Sequence, residues 1–316
     1  MTCRPVRRIA RVLIGLLAAA PVLAQTGPSP ATNPVERITD YMVYPNIVYR
    51  TANNVPLKLD LYLPPGERKP PVPVVMVIHG GGWVVGNKEE NVLSFLPYLA
   101  MGWAVVNVEY RLAESSPAPA AVEDCRCALG WILQNAGKHG LDPKRIVTTG
   151  YSAGGHLALT TGMLSPSAGF DRGCQPTRTM EYWSVGAAPM PKVAAIVNWF
   201  GITDVAGMLE GGRDARGYAI EWIGNAANPL ALAKSVSPLD LVTPGVPPVL
   251  TIHGDKDALV PYSDGVRLHE ALQKAGVPNE LFTVRGGGHG DFAPAETARI
   301  WTAIRAFLGQ RGLPTS

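Results

Sequence analysis

Long apolar runs rich in β-branched residues constrain the fold of this 316-residue chain more than any other feature. Such runs are typical of strands buried on both faces, which occur where helices cover both sides of a parallel sheet. The runs are VPVVMVIHG, WAVVNVEY, RIVTTGYS, KVAAIVNWF, PPVLTIHGD and the weaker ELFTVRG. Two earlier stretches, YMVYPNIVYR and LKLDLYLP, alternate apolar and polar residues and predict antiparallel edge strands.

Helical patterns alternate with these strands. They cover Pro119–Asn135, Ala153–Met163, Asp264–Ala275 and about Pro294–Leu308. The alternation predicts the α/β class, with one domain over residues 42–312 built on a mostly parallel, twisted central sheet with helices on both faces. Segments 165–191 and 204–236 interrupt the order. We interpret them as insertions that wall or cover a ligand pocket, the alternative being surface insertions without a role.

The first 24 residues predict a secretory signal peptide. Arginines precede the apolar run Val12–Ala20, and Val22-Leu23-Ala24 forms a small-residue cleavage site. The run is shorter than the roughly 20 residues of a membrane span, so cleavage is favoured over a stable membrane anchor. We therefore expect a secreted or periplasmic protein, with residues 25–41 as a flexible arm.

Charge and cysteine content narrow the classes of partner. Without the four arginines of the leader, 24 of the 28 basic residues remain against 25 acidic ones. The sequence shows no basic patch that would indicate nucleic acid as a partner.

Cys125 and Cys127 lie two apart on a predicted helix and point to different faces, so they are not expected to pair with each other. In an oxidising compartment either of them can pair with Cys174. No histidine spacing supports a metal site.

A serine between glycines is the first candidate for chemistry. In GYSAG, Ser152 follows a buried strand and precedes a helix, so a sharp turn would hold its hydroxyl clear of the backbone. Gly150 and Gly154 permit such a turn, and the helix directs its first N–H groups to the same place. The pattern alone is also compatible with an ordinary strand-to-helix turn.

The glycine-rich stretch VIHGGGWVVG supplies a second element. Glycines after a buried strand let backbone N–H groups turn inward, and no Gly-Lys-Ser/Thr follows that would indicate a phosphate loop. We assign Gly81 and Gly82, with Ala153, as the N–H donors for a developing oxyanion.

A base and an acid must follow the serine in the chain. His289, in the loop GGGHG after the last predicted strand, is the candidate base. His156 is expected to pack or to hydrogen-bond locally, His253 to fix a loop and His269 to be solvated. In HGDKDALVPY the candidate acid is Asp257. The other candidates are Asp255, interpreted as a turn residue, and Asp204.

The motifs HGGGW, EYRLA, PAAVEDCRCALGWI, GYSAGGHLAL, NWFGITD, HGDKDALVPY and GGGHG stand in the order found in the α/β-hydrolase superfamily. Over about residues 42–310 the chain resembles its secreted bacterial esterases of the hormone-sensitive-lipase-like and feruloyl-esterase-like groups. The resemblance implies an α/β-hydrolase fold, oxyanion donors at Gly81, Gly82 and Ala153, and Asp257 as the acid. The helical cap that precedes the domain in hormone-sensitive-lipase-like enzymes is not evident, so substrate access is assigned to residues 204–236.

These features predict a serine carboxylesterase that hydrolyses short-chain or aromatic esters, of feruloyl or acetyl type, on small molecules or polysaccharides. Trp83, Trp199, Phe200 and Trp222 are expected to line the substrate pocket, with core packing as the alternative. The alternative reactions are those of a serine peptidase or an arylformamidase of the same fold, and the alternative outside enzymes is a catalytically inactive binding protein. No metal or organic cofactor is expected.

Overall fold

The computed structural model describes residues 41–64, 70–174, 192–210 and 215–315. The predicted signal peptide (1–24), the predicted arm up to residue 40 and residues 175–191 of the first insertion lie outside the described residues.

A single sheet of eight strands forms the centre of the described structure. The strands are β1 (Met42–Ala52), β2 (Val55–Leu63), β3 (Val72–Ile78), β4 (Ala104–Val108), β5 (Leu141–Tyr151), β6 (Ala195–Trp199), β7 (Val249–Gly254) and β8 (Asn279–Val284). Their order is β1-β2-β4-β3-β5-β6-β7-β8. β1 and β2 pair antiparallel with their neighbours, and every other pair is parallel. The mostly parallel sheet and its antiparallel edge confirm the sequence prediction.

Helices cover both faces of this sheet. They are α1 (Leu96–Ala100), α2 (Ala120–His139), α3 (Ala153–Met163), α4 (Val205–Glu210), α5 (Arg216–Ile223), α6 (Pro229–Ser235), α7 (Tyr262–Lys274) and α8 (Pro294–Gly309). Along β3, Met76 and Ile78 pack in the cluster that contains α2, α3 and α7, whereas Val75 and Val77 pack with α1 and α8. Because successive side chains of a strand point to opposite faces, one apolar strand contributes to both cores.

The loops that carry the candidate residues all follow the carboxyl ends of parallel strands. Such ends share one edge of the sheet, where ligands bind in open α/β folds. A disulfide joins Cys127 of α2 to Cys174, which follows α3. Cys125 is buried in the core and free, so the structure selects Cys127 between the two candidates.

The second insertion forms the three short helices α4, α5 and α6, with residues 211–214 outside the described part of the chain. In the residues that the structure covers, no helix is long and apolar enough to cross a membrane. Over the same residues, no group of three or more His, Cys, Asp or Glu side chains could hold a metal ion.

Candidate active site

Ser152, His289 and Asp257 are far apart in the sequence, and their side chains form a chain of two hydrogen bonds. The Ser152 Oγ lies 2.8 Å from the His289 Nε2, and the His289 Nδ1 lies 2.8 Å from the Asp257 Oδ2. A carboxylate can only accept, so Nδ1 carries the proton and Nε2 is left to accept from the serine hydroxyl. The arrangement can therefore remove a proton from the hydroxyl as it attacks an electrophile.

The backbone at Ser152 is held in a sparsely populated conformation. Its φ is 54° and its ψ is −119°, and its N–H donates to the Trp199 carbonyl at 2.9 Å. A Cβ at Gly150 would lie 2.3 Å from the carbonyl oxygen of Gly154, and one at Gly154 would lie 2.2 Å from that of Ile78. Only glycine fits at these close approaches, so they fix the sharp turn that presents the hydroxyl.

The carboxylate of Asp257 is fully buried and faces four donors, of which the His253 Nε2–H is shared with the Val260 carbonyl at 2.9 Å. The Leu259 and Val260 N–H groups donate to Oδ1 at 2.9 Å, and Oδ2 faces the His289 Nδ1 at 2.8 Å and the His253 Nε2 at 3.2 Å. Burial acts to raise the pKa of Asp257, but the hydrogen bonds from His253, His289 and the Val260 N–H outweigh it. They hold the pKa well below its ordinary value, so the carboxylate is charged.

The glycine loop after β3 curls beside the serine. Gly81 has a φ of 100° and Gly82 a φ of 60°, and the Gly81 carbonyl accepts from the N–H groups of Val84 and Val85 at 3.0 Å. Among the described residues, no acceptor is found for the N–H groups of Gly81, Gly82 or Ala153. Free N–H groups beside a nucleophile can stabilise an oxyanion that forms there.

The other candidate acids are engaged elsewhere. Asp255 accepts from the Gly286 N–H at 2.6 Å, which fits its interpretation as a turn residue. Asp204 accepts from the Gly207 N–H and from the guanidinium of Arg267, both at 2.7 Å. Neither carboxylate is hydrogen-bonded to the imidazole that faces the serine.

The family model of BD-FAE matches residues 59–272, a span that contains the serine turn and the buried carboxylate. The chain belongs to the BD-FAE family. A second model, described as TAP-like protein, matches residues 229–316. Together with the sheet topology, these matches confirm the α/β-hydrolase fold.

Curated relatives of this BD-FAE chain include mycobacterial esterases. Carboxylesterase NlhH of Mycobacterium tuberculosis is 30% identical over 237 residues, which are 74% of this chain and 70% of NlhH. Esterase LipQ of the same organism is 28% identical over 78% of this chain. The chain spans only 56% of the length of LipQ.

Solved structures that are similar to this chain are also described as esterases. A structure described as a truncated form of a carbohydrate esterase from gut microbiota is 28% identical with a TM-score of 0.68, covering 86% of this chain and 96% of its own. Esterase Est2 of Thermogutta terrifontis with bound propionate is 26% identical with a TM-score of 0.68, covering 88% and 96%. The family member is thus similar to known esterases over most of its length.

A cavity of about 220 Å³ opens beside Ser152 and His289. Its remaining lining is largely apolar and includes side chains of the second insertion; the residues are Gly81, Gly82, Trp83, Val85, Phe200, Ile202, Met208, Ala215, Tyr218, Leu259 and Val260. Among the described residues that line it there is no Asp, Glu, Lys or Arg side chain. The cavity therefore suits an uncharged group.

Two of the four predicted aromatic residues line this cavity. Trp83 and Phe200 do so, and the Phe200 ring lies 4.7 Å from the imidazole of His289. Trp222 of α5 is fully buried and stacks on Trp83 at 4.3 Å. It is a core residue and not part of the cavity wall.

Trp199 also lies away from the cavity. It is the last residue of β6 and, like Val197, points to the face that carries α8, where its ring contacts Tyr151 and Trp301. The following residue, Phe200, has a φ of 39°, and its ring lies against the imidazole of His289. All residues of β6 are buried, so its pattern does not indicate which of the two rings faces the site.

Sequence reasoning missed the partners of two histidines. His156 bonds to Trp83 and to the Val236 carbonyl, 73 and 80 residues away, and not locally. His269 is buried and bonds to Asn279, whereas we expected it to be solvated. Contacts between distant segments leave no local signal in one sequence.

Proposed function

We propose that the protein is a secreted serine carboxylesterase that forms an acyl-enzyme on Ser152. The observation that supports the proposal best is the line from Asp257 through His289 to the serine hydroxyl, with both bonds at 2.8 Å. The similarity to carboxylesterases over most of the chain supports the same reaction class.

In the proposed mechanism, His289 Nε2 takes the proton of Ser152 as Oγ bonds to the ester carbonyl carbon. The carbonyl oxygen becomes an oxyanion and accepts from the N–H groups of Gly81, Gly82 and Ala153. The C–O bond to the alcohol then breaks, and the imidazolium returns its proton to the leaving oxygen. Water, deprotonated by His289, then attacks the acyl carbon; the bond from that carbon to the Ser152 Oγ breaks, the imidazolium returns the proton to Oγ, and the carboxylic acid is released.

The cavity supports a short or flat uncharged acyl group. Its volume of about 220 Å³ lies below the roughly 300–1,000 Å³ of pockets for drug-sized ligands. Acetyl and other short acyl groups therefore fit, as does the ring of a feruloyl group, whereas a long lipid chain exceeds the space. The alcohol portion extends outside, as a polysaccharide-linked ester would require.

Secretion is the second part of the proposal. The leader-like sequence of residues 1–24 has the basic start, apolar run and small-residue end of a signal peptide. The bond between Cys127 and Cys174 is of the kind that persists in oxidising compartments. Intact mass of the protein purified from the periplasm tests this: cleavage after Ala24 is expected, and an uncleaved chain retained in the cytoplasm contradicts it.

A substrate panel tests the reaction and its alternatives. We expect turnover of p-nitrophenyl acetate and butyrate, methyl ferulate or acetylated xylan, with p-nitrophenyl palmitate hydrolysed at least about tenfold less efficiently, because its acyl chain is a long lipid chain that exceeds the cavity. The matched variant Ser152→Ala removes one oxygen and should lose about 10⁶-fold in kcat. Activity only on amino-acid p-nitroanilides supports a peptidase, and activity only on an aryl formamide supports an arylformamidase; either result overturns the esterase proposal.

A further inference from the structure

We propose that His156 is a positioning residue that holds the oxyanion loop (residues 79–86) by joining Trp83 to the end of the second insertion at Val236. The inference rests on the proposed function, because it concerns the N–H groups assigned to the oxyanion. No step of the mechanism above uses His156.

The oxyanion loop has a conformation that needs support. Gly81, Gly82 and Trp83 follow one another with φ values of 100°, 60° and 64°. Two of the three are glycines, for which positive φ carries no steric penalty. Trp83 has a bulky side chain, and such a residue remains in the left-handed region only when its surroundings fix it there.

Three contacts fix Trp83, which is fully buried. Its carbonyl accepts from the Ala113 N–H at 2.9 Å, and its ring stacks on Trp222 at 4.3 Å with an interplanar angle of 11°. Its indole N–H donates to the His156 Nδ1 at 3.1 Å. The last contact is the only one of the three that reaches the helix of the serine, since His156 lies one turn into α3.

The ring of His156 is fixed in one tautomer by its two partners. Indole nitrogen can only donate, so Nδ1 is unprotonated; the Val236 carbonyl can only accept, so Nε2 carries the proton and donates at 2.7 Å. Burial lowers the pKa of His156 to about 4, although the carbonyl hydrogen bond acts in the opposite direction. The imidazole is therefore neutral at neutral pH and keeps both bonds.

This geometry connects three segments that build the site. His156 lies on the helix that begins after Ser152, Trp83 lies beside the proposed donor Gly82, and Val236 follows α6 of the insertion. The ring of Tyr218 from the same insertion packs on Gly82, since a Cβ there would lie 2.6 Å from it. If the bond to His156 is lost, the strained backbone at Trp83 can relax and carry the Gly82 N–H with it.

The expected kinetic effect falls on kcat. The N–H donors act on charge that exists only in the transition state, so their displacement leaves substrate binding nearly unchanged. A displacement of about 1 Å in a catalytic group costs about 10²-fold in rate. We therefore expect kcat to fall about 10- to 100-fold with KM within about twofold of the wild-type value.

Two substitutions separate the bonds of His156. His156→Gln places an amide near the Nε2 position, which keeps a donor to Val236 and loses the acceptor for Trp83. His156→Asn places its oxygen near the Nδ1 position, and should recover part of kcat. Trp83→Phe removes the same bond from the other side and keeps the stacking, so combining it with His156→Gln should lower kcat no further.

His269→Gln is the matched control. His269 is also buried and bonds to Asn279 at 2.9 Å, but it lies on α7 away from the loop. We expect His269→Gln to lower Tm about as much as His156→Gln does. Its kcat on p-nitrophenyl acetate should stay within about twofold of the wild-type value, as expected for a residue outside the site. If His156→Gln and Trp83→Phe also keep kcat within twofold, His156 is structural only and the inference is wrong, although the esterase proposal stands.

Amide hydrogen exchange provides a test that does not depend on turnover. Peptides covering residues 79–86 should exchange at least about tenfold faster in His156→Gln than in the wild type and His269→Gln, since the loop opens more readily. Unchanged exchange in both His156→Gln and Trp83→Phe overturns the inference, whether or not the wild-type protein hydrolyses esters.

Discussion

Substitution of Gly81 by alanine tests the oxyanion loop with a single methyl group. An ideal Cβ at this position would lie 2.0 Å from the carbonyl oxygen of Val85, and contacts under 3.0 Å essentially never occur. Val85 cannot simply retreat, because its N–H donates to the Gly81 carbonyl at 3.0 Å. The loop must therefore open by about 1 Å.

The magnitude follows from that displacement. A shift of about 1 Å at a catalytic group, or the loss of one oxyanion donor, lowers kcat by about 10²- to 10³-fold. This corresponds to about 2.7–4 kcal/mol of transition-state stabilisation at 1.36 kcal/mol per factor of ten. The backbone adds a separate penalty to folding, since alanine at a φ of 100° loses roughly 1–2 kcal/mol.

Gly102→Ala separates these two effects. Gly102 also has a positive φ, of 78°, but a Cβ there meets nothing within 4 Å. Steady-state kinetics on p-nitrophenyl acetate and thermal unfolding should show similar losses of Tm in both variants and the kinetic loss only in Gly81→Ala. Retention of kcat within threefold in Gly81→Ala would refute the assignment of this loop to the oxyanion.

Three further predictions concern stability and the buried acid. The double substitution Cys127→Ser, Cys174→Ser opens a loop of 47 residues and should cost about 4 kcal/mol, or about 8 °C in Tm by calorimetry without reductant; an unchanged Tm contradicts this. Asp257→Asn should lower kcat about 10⁴-fold, because the His289 Nδ1–H loses its carboxylate partner; retention of a tenth of kcat contradicts the proposed role. The lowered pKa of Asp257 means that its carboxylate stabilises the fold above its unfolded pKa of about 3.9 and that this contribution is lost as pH falls through the depressed folded value. The wild type should therefore lose more Tm than Asp257→Asn between pH 7 and pH 3, and equal losses contradict the sign of the shift.

The sheet and its helices could be predicted because local patterns determine them. β3 is apolar on both faces, and helix α3 spans Ala153–Met163, the predicted bounds. The alternation of strand and helix then places the ends of all parallel strands at one edge. For this reason the loops of Ser152, Asp257 and His289 could be expected to lie together before any contact was known.

Side-chain contacts between distant segments could not be predicted in the same way. The stacking of Trp222 on Trp83 depends on how the second insertion folds back over the glycine loop. The contact between His253 and Asp257 also depends on loop geometry, since the pattern only predicts that His253 fixes a loop. The prediction that Trp199 lines the pocket was wrong; both faces of β6 are buried, so burial alone does not indicate which face leads to the site.

Mapping of a covalent adduct tests the central claim most directly. A fluorophosphonate should label the protein at Ser152 alone, identified by mass spectrometry of the peptide that contains GYSAGGHLAL, and His289→Gln should slow the labelling at least about 10³-fold by removing the base. An adduct at another residue, or labelling at an unchanged rate without the imidazole of His289, would contradict the account.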